Sequence, residues 1–171
     1  MRVGLVADTH GLFDPALAEI LRGVDLVLHA GDVGEAGVLE ALARIAPVRA
    51  VRGNNDLSPP LDGLPEMAVV QFGDLVALLV HDLGRGDRPA PALGAALLRE
   101  RPQVVIHGHS HRPGARLREG RLLVNPGSAG PRRFSLPRTA ALLRVRGRAV
   151  TVDFRELPAG VRHGEPFEAR L

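Results

Sequence analysis

The chain reads as an α/β protein of two packed mixed sheets flanked by helices, a four-layer α-β-β-α sandwich. Three observations predict this. The first third alternates short apolar, β-branched runs with helical periodicities in the order β-α-β-α-β, the pattern of a parallel sheet. The middle adds a hairpin, a helix and another short buried run. The last third changes to paired runs joined across glycine turns, as antiparallel strands are.

Residues 3–7 read as a buried strand ending at Asp8. Asp14 and Pro15 open a helix, with Asp14 as N-cap and Pro15 at the first helical position, and Leu17, Ile20 and Leu21 recur at helical spacing. Residues 25–29 are a second strand, ending at Gly31-Asp32. Residues 35–45 are a second helix with Val38, Leu39, Leu42 and Ile45 on one face. Residues 47–51 are a third strand and run into Gly53-Asn54-Asn55-Asp56. The Pro- and Gly-rich segment 58–65 is a loop. Residues 67–72 and 75–80 form a hairpin turned at Gly73-Asp74, its second arm ending at His81. A loop over 84–91 and a helix over 92–101 follow. Residues 104–106 are a buried strand leading into His107-Gly108-His109-Ser110-His111. Residues 115–118 pair with 122–125, and 139–145 with 149–154. Asn125-Pro126-Gly127-Ser128 is a tight turn. The segment after Pro158 shows no periodicity and is assigned no role. The expected organisation is one domain over 1–157 and a tail over 158–171.

At 171 residues the chain can bury a core without staples. It has no Cys, which excludes disulfides and thiolate metal sites. It has no Lys, so all 22 basic residues are Arg, yet the formal net charge is only +3. That balance implies neither a nucleic-acid nor a membrane surface. With no Trp or Tyr, stacking platforms for single strands are lacking. No apolar stretch nears the ~20 residues of a membrane span. Asp8 interrupts the first apolar run, so no secretory pattern is present. The expected location is the cytoplasm.

Five polar clusters sit where predicted strands end, which is where ligand sites lie in α/β sheets. Asp8 and His10 are two residues apart, and i and i+2 side chains of an extended segment point the same way. Asp8 could equally help cap the next helix. Asp32 follows Gly31, and a carboxylate has two oxygens with which to bridge two metals; Gly-Asp is also a common turn. Asn54 offers a neutral carbonyl oxygen, although Gly-Asn is a turn signal too. His81 closes a strand. His107, His109 and His111 alternate, and a surface tract of histidines is disfavoured because the cluster caps an apolar strand. Taken jointly, Asp8, His10, Asp32, Asn54, His81, His109 and His111 are enough for two hard-to-borderline divalent metals sharing one carboxylate. Such a pair clamps a phosphoryl group and lowers the pKa of a bridging water, so the set points to metal-assisted hydrolysis of a phosphate ester by a metal-bridging hydroxide.

With these motifs (D-x-H at Asp8 and His10, G-D at Asp32, G-N-N-D at Asn54 to Asp56, His81, G-H-S-H at His109 and His111, N-P-G-S at Asn125 to Ser128) the chain resembles the calcineurin-like metallophosphoesterases. It is most similar to their small single-domain bacterial and archaeal phosphodiesterase branch. The resemblance spans residues 2–154 and implies the metallo-dependent phosphatase-like sandwich with a dinuclear centre. Manganese is the first candidate metal, with iron, nickel or zinc as the others. It implies that Asp8, His10 and His111 hold one ion, that Asn54, His81 and His109 hold the second, and that Asp32 bridges. His107, His29 and His163 fall outside this ligand set. Asn55, Asp56 and His10 are the catalytic candidates. Many members carry, where Asn55 stands, a His that contacts the phosphate; an Asn donates a hydrogen bond but is no general acid, a function typically contributing ~10²–10⁴-fold. Many also read H-G-H where this chain reads His81-Asp82-Leu83. Arg132 and Arg133 could hold a phosphate oxygen or simply be surface arginines.

The expected substrate is a small phosphodiester, with monoesters secondary; the sequence shows no nucleic-acid surface and is compatible with a homo-oligomer. The rival expectation is a non-catalytic metal-binding scaffold of the same fold that binds partner proteins, as the retromer scaffold subunit does.

Overall fold

In the computed structural model, which describes residues 1–84 and 89–171, the parallel-strand ends that carry the polar clusters meet at one edge of a sandwich. Residues 85–88, inside the expected 84–91 loop, lie outside the described residues. The elements are β1 (Arg2–Val6), α1 (Ala16–Ile20), β2 (Leu26–His29), α2 (Ala36–Ala43), β3 (Val48–Ala50), β4 (Met67–Phe72), β5 (Leu75–Val80), α3 (Pro91–Glu100), β6 (Val104–Ile106), β7 (Gly114–Arg118), β8 (Arg121–Asn125), β9 (Thr139–Arg146), β10 (Ala149–Glu156) and β11 (Phe167–Arg170). One sheet has the order β11-β10-β9-β1-β2-β3 and the other β4-β5-β6-β8-β7. Strands β1, β2 and β3 are parallel, as are β5, β6 and β8; the remaining pairs are antiparallel. The predicted α/β architecture of two mixed sheets is therefore the one observed.

Strand alternation sorts the apolar residues into layers. Val3, Leu5, Leu28, Leu79, Ile106 and Val124 fill the space between the sheets. Val6, Val27 and Leu142 face outward under Leu17 and Leu21, and under Val38 and Leu42 of α2. Leu78, Val80 and Val105 pack outward against Leu93 and Ala96 of α3. Because β1, β2, β5 and β6 are covered on both faces, they read as unbroken apolar runs. No helix among the described residues is long and apolar enough to cross a membrane.

Boundaries shift in understandable ways. Pro15 already has helical angles. Asp14 still serves the helix start, its carboxylate accepting the Ala16 N–H at 2.9 Å and its carbonyl the Leu17 N–H at 2.9 Å. Helix α2 stops at Ala43, so Ile45 lies in the turn beyond it. The loop over 58–65 contains a short 3₁₀ turn, Leu61–Gly63, seated by buried Leu61. The larger difference is the tail. Strand β11 extends the first sheet antiparallel to β10, from Val152 opposite Phe167 to Ala149 opposite Arg170, and Phe167 and Leu171 pack on the inter-sheet core. Four residues on a sheet edge are too few to show a periodicity.

The site edge is built by backbone hydrogen bonds between consecutive strand ends. Asp8 N–H donates to Gly31 C=O at 3.0 Å, His10 N–H to Asp32 C=O at 3.0 Å, and Gly108 N–H to His81 C=O at 3.0 Å. These bonds carry each chain segment past the end of its strand with its polar side chain turned inward.

Candidate metal centre

Among the described residues eight non-glycine residues have positive φ, and five of them are Asp8, His10, Asp32, His109 and His111. Such conformations cost on the order of 1–3 kcal/mol each and persist where the surroundings over-determine them. The surroundings here are tight. A Cβ on Gly53 would lie 2.1 Å from Asp32 N and Oδ1, and one on Gly130 would lie 2.4 Å from the Asp8 carbonyl oxygen. Ser128 Oγ–H donates to that same carbonyl at 2.9 Å. The N-P-G-S turn thus holds the backbone of the first ligand loop.

The ligand atoms converge. Those of Asp8, His10 and His111 lie within 4.8 Å of one another, and so do those of Asp8, Asp32 and His81. His111 Nε2 is 3.4 Å from Asp8 Oδ1, and His10 Nε2 is 3.4 Å from His111 Nε2. Asp32 Oδ2 lies between two imidazoles, 3.9 Å from His10 Nε2 and 3.5 Å from His81 Nε2. Asn54 Oδ1 is 3.1 Å from His81 Nε2 and 3.0 Å from His109 Nδ1. All seven residues of the predicted ligand set are therefore brought together.

The protein by itself leaves this arrangement unsatisfied, which tests whether a cation fits. Asp8 is fully buried and its Oδ2 has no hydrogen-bond partner; His111 Nδ1 has none either. Two imidazole Nε2 atoms facing each other are satisfied only by a shared proton or a shared cation. Ligand atoms each ~2.1 Å from one ion sit roughly 3.0–3.5 Å apart, which matches the distances around His111 and Asn54. The donor set is carboxylate, amide oxygen and imidazole, with no sulfur, as a hard-to-borderline divalent ion requires. His81 Nδ1 is 2.8 Å from the Ala30 carbonyl and donates to it, which fixes the tautomer that leaves Nε2 as a free lone pair.

Electrostatics favour the ligating protonation states. Burial pulls the His10 imidazole below its ordinary value; Asp32 opposes this and nearby Arg133 adds to it. Burial alone would raise the Asp32 carboxyl, but the Asn55 N–H, the His81 imidazole, the Asn55 amide and His10 outweigh it and hold the group below the usual carboxylate range. Anionic Asp32 and neutral His10 are the forms that bind metal.

The remaining candidates are placed by their contacts. Asp56, a catalytic candidate from the sequence, is an anchor: it is buried, and its carboxylate accepts the N–H groups of Val33 at 3.1 Å, Gly34 at 2.9 Å and Gly53 at 2.9 Å. It ties the β2 loop to the β3 loop through both of its oxygens. The exposed Asn55 donates its side-chain amide to Asp32 Oδ2 at 2.6 Å. His10, expected both as a ligand and as a catalytic candidate, lies with Asp8 and His111. The three alternating histidines do not share a face, because His109 and His111 have positive φ. His107 stays behind, 3.3 Å from Asn125 Nδ2, and burial pushes it down to about 4. Arg132 and Arg133 are exposed, and of the two Arg133 is close enough to act on His10.

Three further contributors have no role assigned from the sequence. Asn125 donates from Nδ2 to Gly108 C=O at 2.7 Å and lies 3.0 Å from Ser110 Oγ, so it shapes the G-H-S-H loop. Thr9 donates its hydroxyl to Val33 C=O at 2.9 Å and accepts from His29 Nε2 at 2.9 Å. Asp82 stands 3.8 Å from His109 Nε2. The N-P-G-S motif was the available signal for Asn125; the other two show only in the folded chain.

Comparison with known proteins agrees with this geometry. A family model described as the calcineurin-like phosphoesterase superfamily domain matches residues 1–148. A probable metallophosphoesterase of Methanothermobacter thermautotrophicus is 32% identical over 178 residues, covering 97% of this chain and 95% of that one. Among solved structures, vacuolar protein sorting 29 of Cryptosporidium parvum superposes with a TM-score of 0.82 at 25% identity, over 99% of this chain and 98% of that one. A predicted phosphoesterase of Streptococcus pneumoniae superposes with a TM-score of 0.75 at 24% identity, over 99% and 97% of the two chains.

Proposed function

Because this chain belongs to the calcineurin-like phosphoesterase superfamily, we propose that it is a metal-dependent phosphodiesterase with a dinuclear centre. The observation that carries this reading is buried Asp32, whose Oδ2 lies between His10 Nε2 at 3.9 Å and His81 Nε2 at 3.5 Å, one imidazole from each ligand group, beside an Asp8 Oδ2 with no partner in the protein. Asp8, His10 and His111 are assigned to one ion, Asn54, His81 and His109 to the other, and Asp32 to both. Two divalent ions, manganese first, would supply Lewis-acid polarisation of a phosphoryl oxygen and a water of lowered pKa. The residues around them do the positioning. Asn55 orients Asp32, Ala30 C=O fixes the His81 ring, and Asp56 holds together the loops that carry Asp32 and Asn55.

An amide in the Asn55 position offers no acidic proton. Diesters with leaving groups that depart as stable anions are therefore the preferred substrates. The assigned location is the cytoplasm. A second reading, a metal-binding scaffold for partner proteins, draws on the fold shared with vacuolar protein sorting 29; both readings use the same ligand set, and turnover separates them.

The test is hydrolysis of bis(p-nitrophenyl) phosphate by metal-stripped protein with manganese titrated back, beside Asp32→Ala. Metal-dependent release that the substitution abolishes is the expected result. Folded, metal-loaded protein that releases no nitrophenol would overturn the reading in favour of the scaffold.

A further inference from the structure

A cavity of about 600 Å³ runs along the outer face of the second sheet, beside α3, and opens at His109 and Asp82 onto the metal centre. Its origin is a gap in the helical layer. Helix α3 packs on β5 and β6, and Leu93 and Leu97 form one wall. Among the described residues no helix lies over β8 and β7, so Val105 and Leu123 form an apolar floor. Pockets for small organic ligands typically have ~300–1,000 Å³, far more than a phosphoryl group needs.

The far side of this groove is basic. Alternation on β7 and β8 puts Arg116 on the same face as Leu123, its register partner. Arg118 and Arg121 also line the groove, but Glu119 engages both, at 3.9 and 3.6 Å. Arg112 and Arg116 line it too, and among the described residues neither guanidinium has a carboxylate partner. Two guanidinium groups with no carboxylate partner among the described residues, beside an apolar floor, suit an occupant with a flat, apolar body and a terminal anion.

We propose that this groove receives one alcohol arm of the phosphodiester, and that the arm is of nucleoside size and carries a second phosphate read by Arg112 and Arg116. The proposal rests on the phosphodiesterase reading for the identity of the bound phosphoryl group. It makes the natural substrates diesters whose retained arm carries a distal anionic group, the opposite arm being the one that departs as a stable anion.

The experiment is calorimetric titration of manganese-loaded protein with adenosine 3′,5′-bisphosphate, adenosine 5′-monophosphate and inorganic phosphate. It reads binding without turnover. The bisphosphate is expected to bind at least tenfold more tightly than either of the others. Arg116→Ala and Arg112→Ala should each bring the bisphosphate-to-monophosphate ratio close to one, while Arg148→Ala, an exposed arginine on the turn between β9 and β10, should leave it unchanged. Equal affinities for bisphosphate and monophosphate in the native protein would overturn the proposal, as would a preference that survives both groove substitutions. An arginine-dependent preference in protein that hydrolyses no diester would support the groove assignment and refute the phosphodiesterase reading.

Discussion

Asn55 engages both oxygens of the Asp32 carboxylate: its backbone N–H donates to Oδ1 at 2.8 Å and its side-chain amide to Oδ2 at 2.6 Å. A carboxylate held at both oxygens has its orientation set before any ion arrives. That saves ordering cost at the moment of binding. Asn55→Ala leaves the backbone bond and deletes the amide. The expected result is an approximately 10–100-fold loss of manganese affinity, measured by chelator competition, with an unchanged fold.

Asp8 combines full burial with an unpartnered oxygen, a combination costly without a cation. Asp8→Asn removes the charge and can turn its NH₂ toward His111 Nε2, now 3.4 Å from Asp8 Oδ1. In chelator the variant should be more stable than the native protein, by about 1–3 kcal/mol. Added manganese should raise the melting temperature of the native protein and leave that of the variant unmoved. Thermal melts with and without metal read both outcomes.

Two glycines that look alike in the sequence should respond oppositely to alanine. Gly37 lies in α2 with nothing within 4 Å of a built Cβ. Gly37→Ala should stabilise by roughly 0.5–1 kcal/mol, the helix-propensity difference. Gly53→Ala drives a methyl to 2.1 Å from the Asp32 backbone. It should cost ~3 kcal/mol or more and weaken metal binding at the same time. Urea titration of the two variants gives the contrast directly.

His29 is fully buried, and burial pushes its imidazole down to about 4, although the Asp8 and Asp56 carboxylates pull the other way. Its unfolded value is near 6.5. Between these limits the unfolded chain binds the extra proton, so stability rises with pH from about 4 to about 6.5 and is level above. The contribution lost on acidification through that window is about 3 kcal/mol. His29→Gln keeps a donor for Thr9 and removes the titration. Stability of the metal-free variant should fall less steeply with acid than that of the native protein across that range, as followed by denaturation at several pH values.

Strand β11 contributes Phe167 to the inter-sheet core and pairs the edge of β10. Removing residues 159–171 should cost about 1–3 kcal/mol through lost apolar burial. It should also leave an open strand edge that promotes association. A lower melting temperature and a concentration-dependent elution volume are the expected signs.

The two glycines and the tail show where sequence reading ends. Residue order and period-two or helical periodicity determine which segments become strands and helices. Those signals are local, so the elements from β1 to β10 are legible, as are the polar residues at strand ends and a set of ligand types suited to two hard ions. The roles within the site are decided by contacts between residues far apart in the chain. His10 meets His111, Asn54 meets His109, and Asn125 reaches Gly108. No local pattern distinguishes Asp56, which spends its carboxylate on three backbone N–H groups, from Asp32, which keeps an oxygen between two imidazoles. The groove beside α3 is likewise invisible in one dimension, because it is the space left where a helix does not cover two strands. Sequence alone determined the kinds of group available and their order. The tertiary structure decided which of them face one another and which are consumed by the backbone, because burial and hydrogen-bond satisfaction are properties of the packed chain.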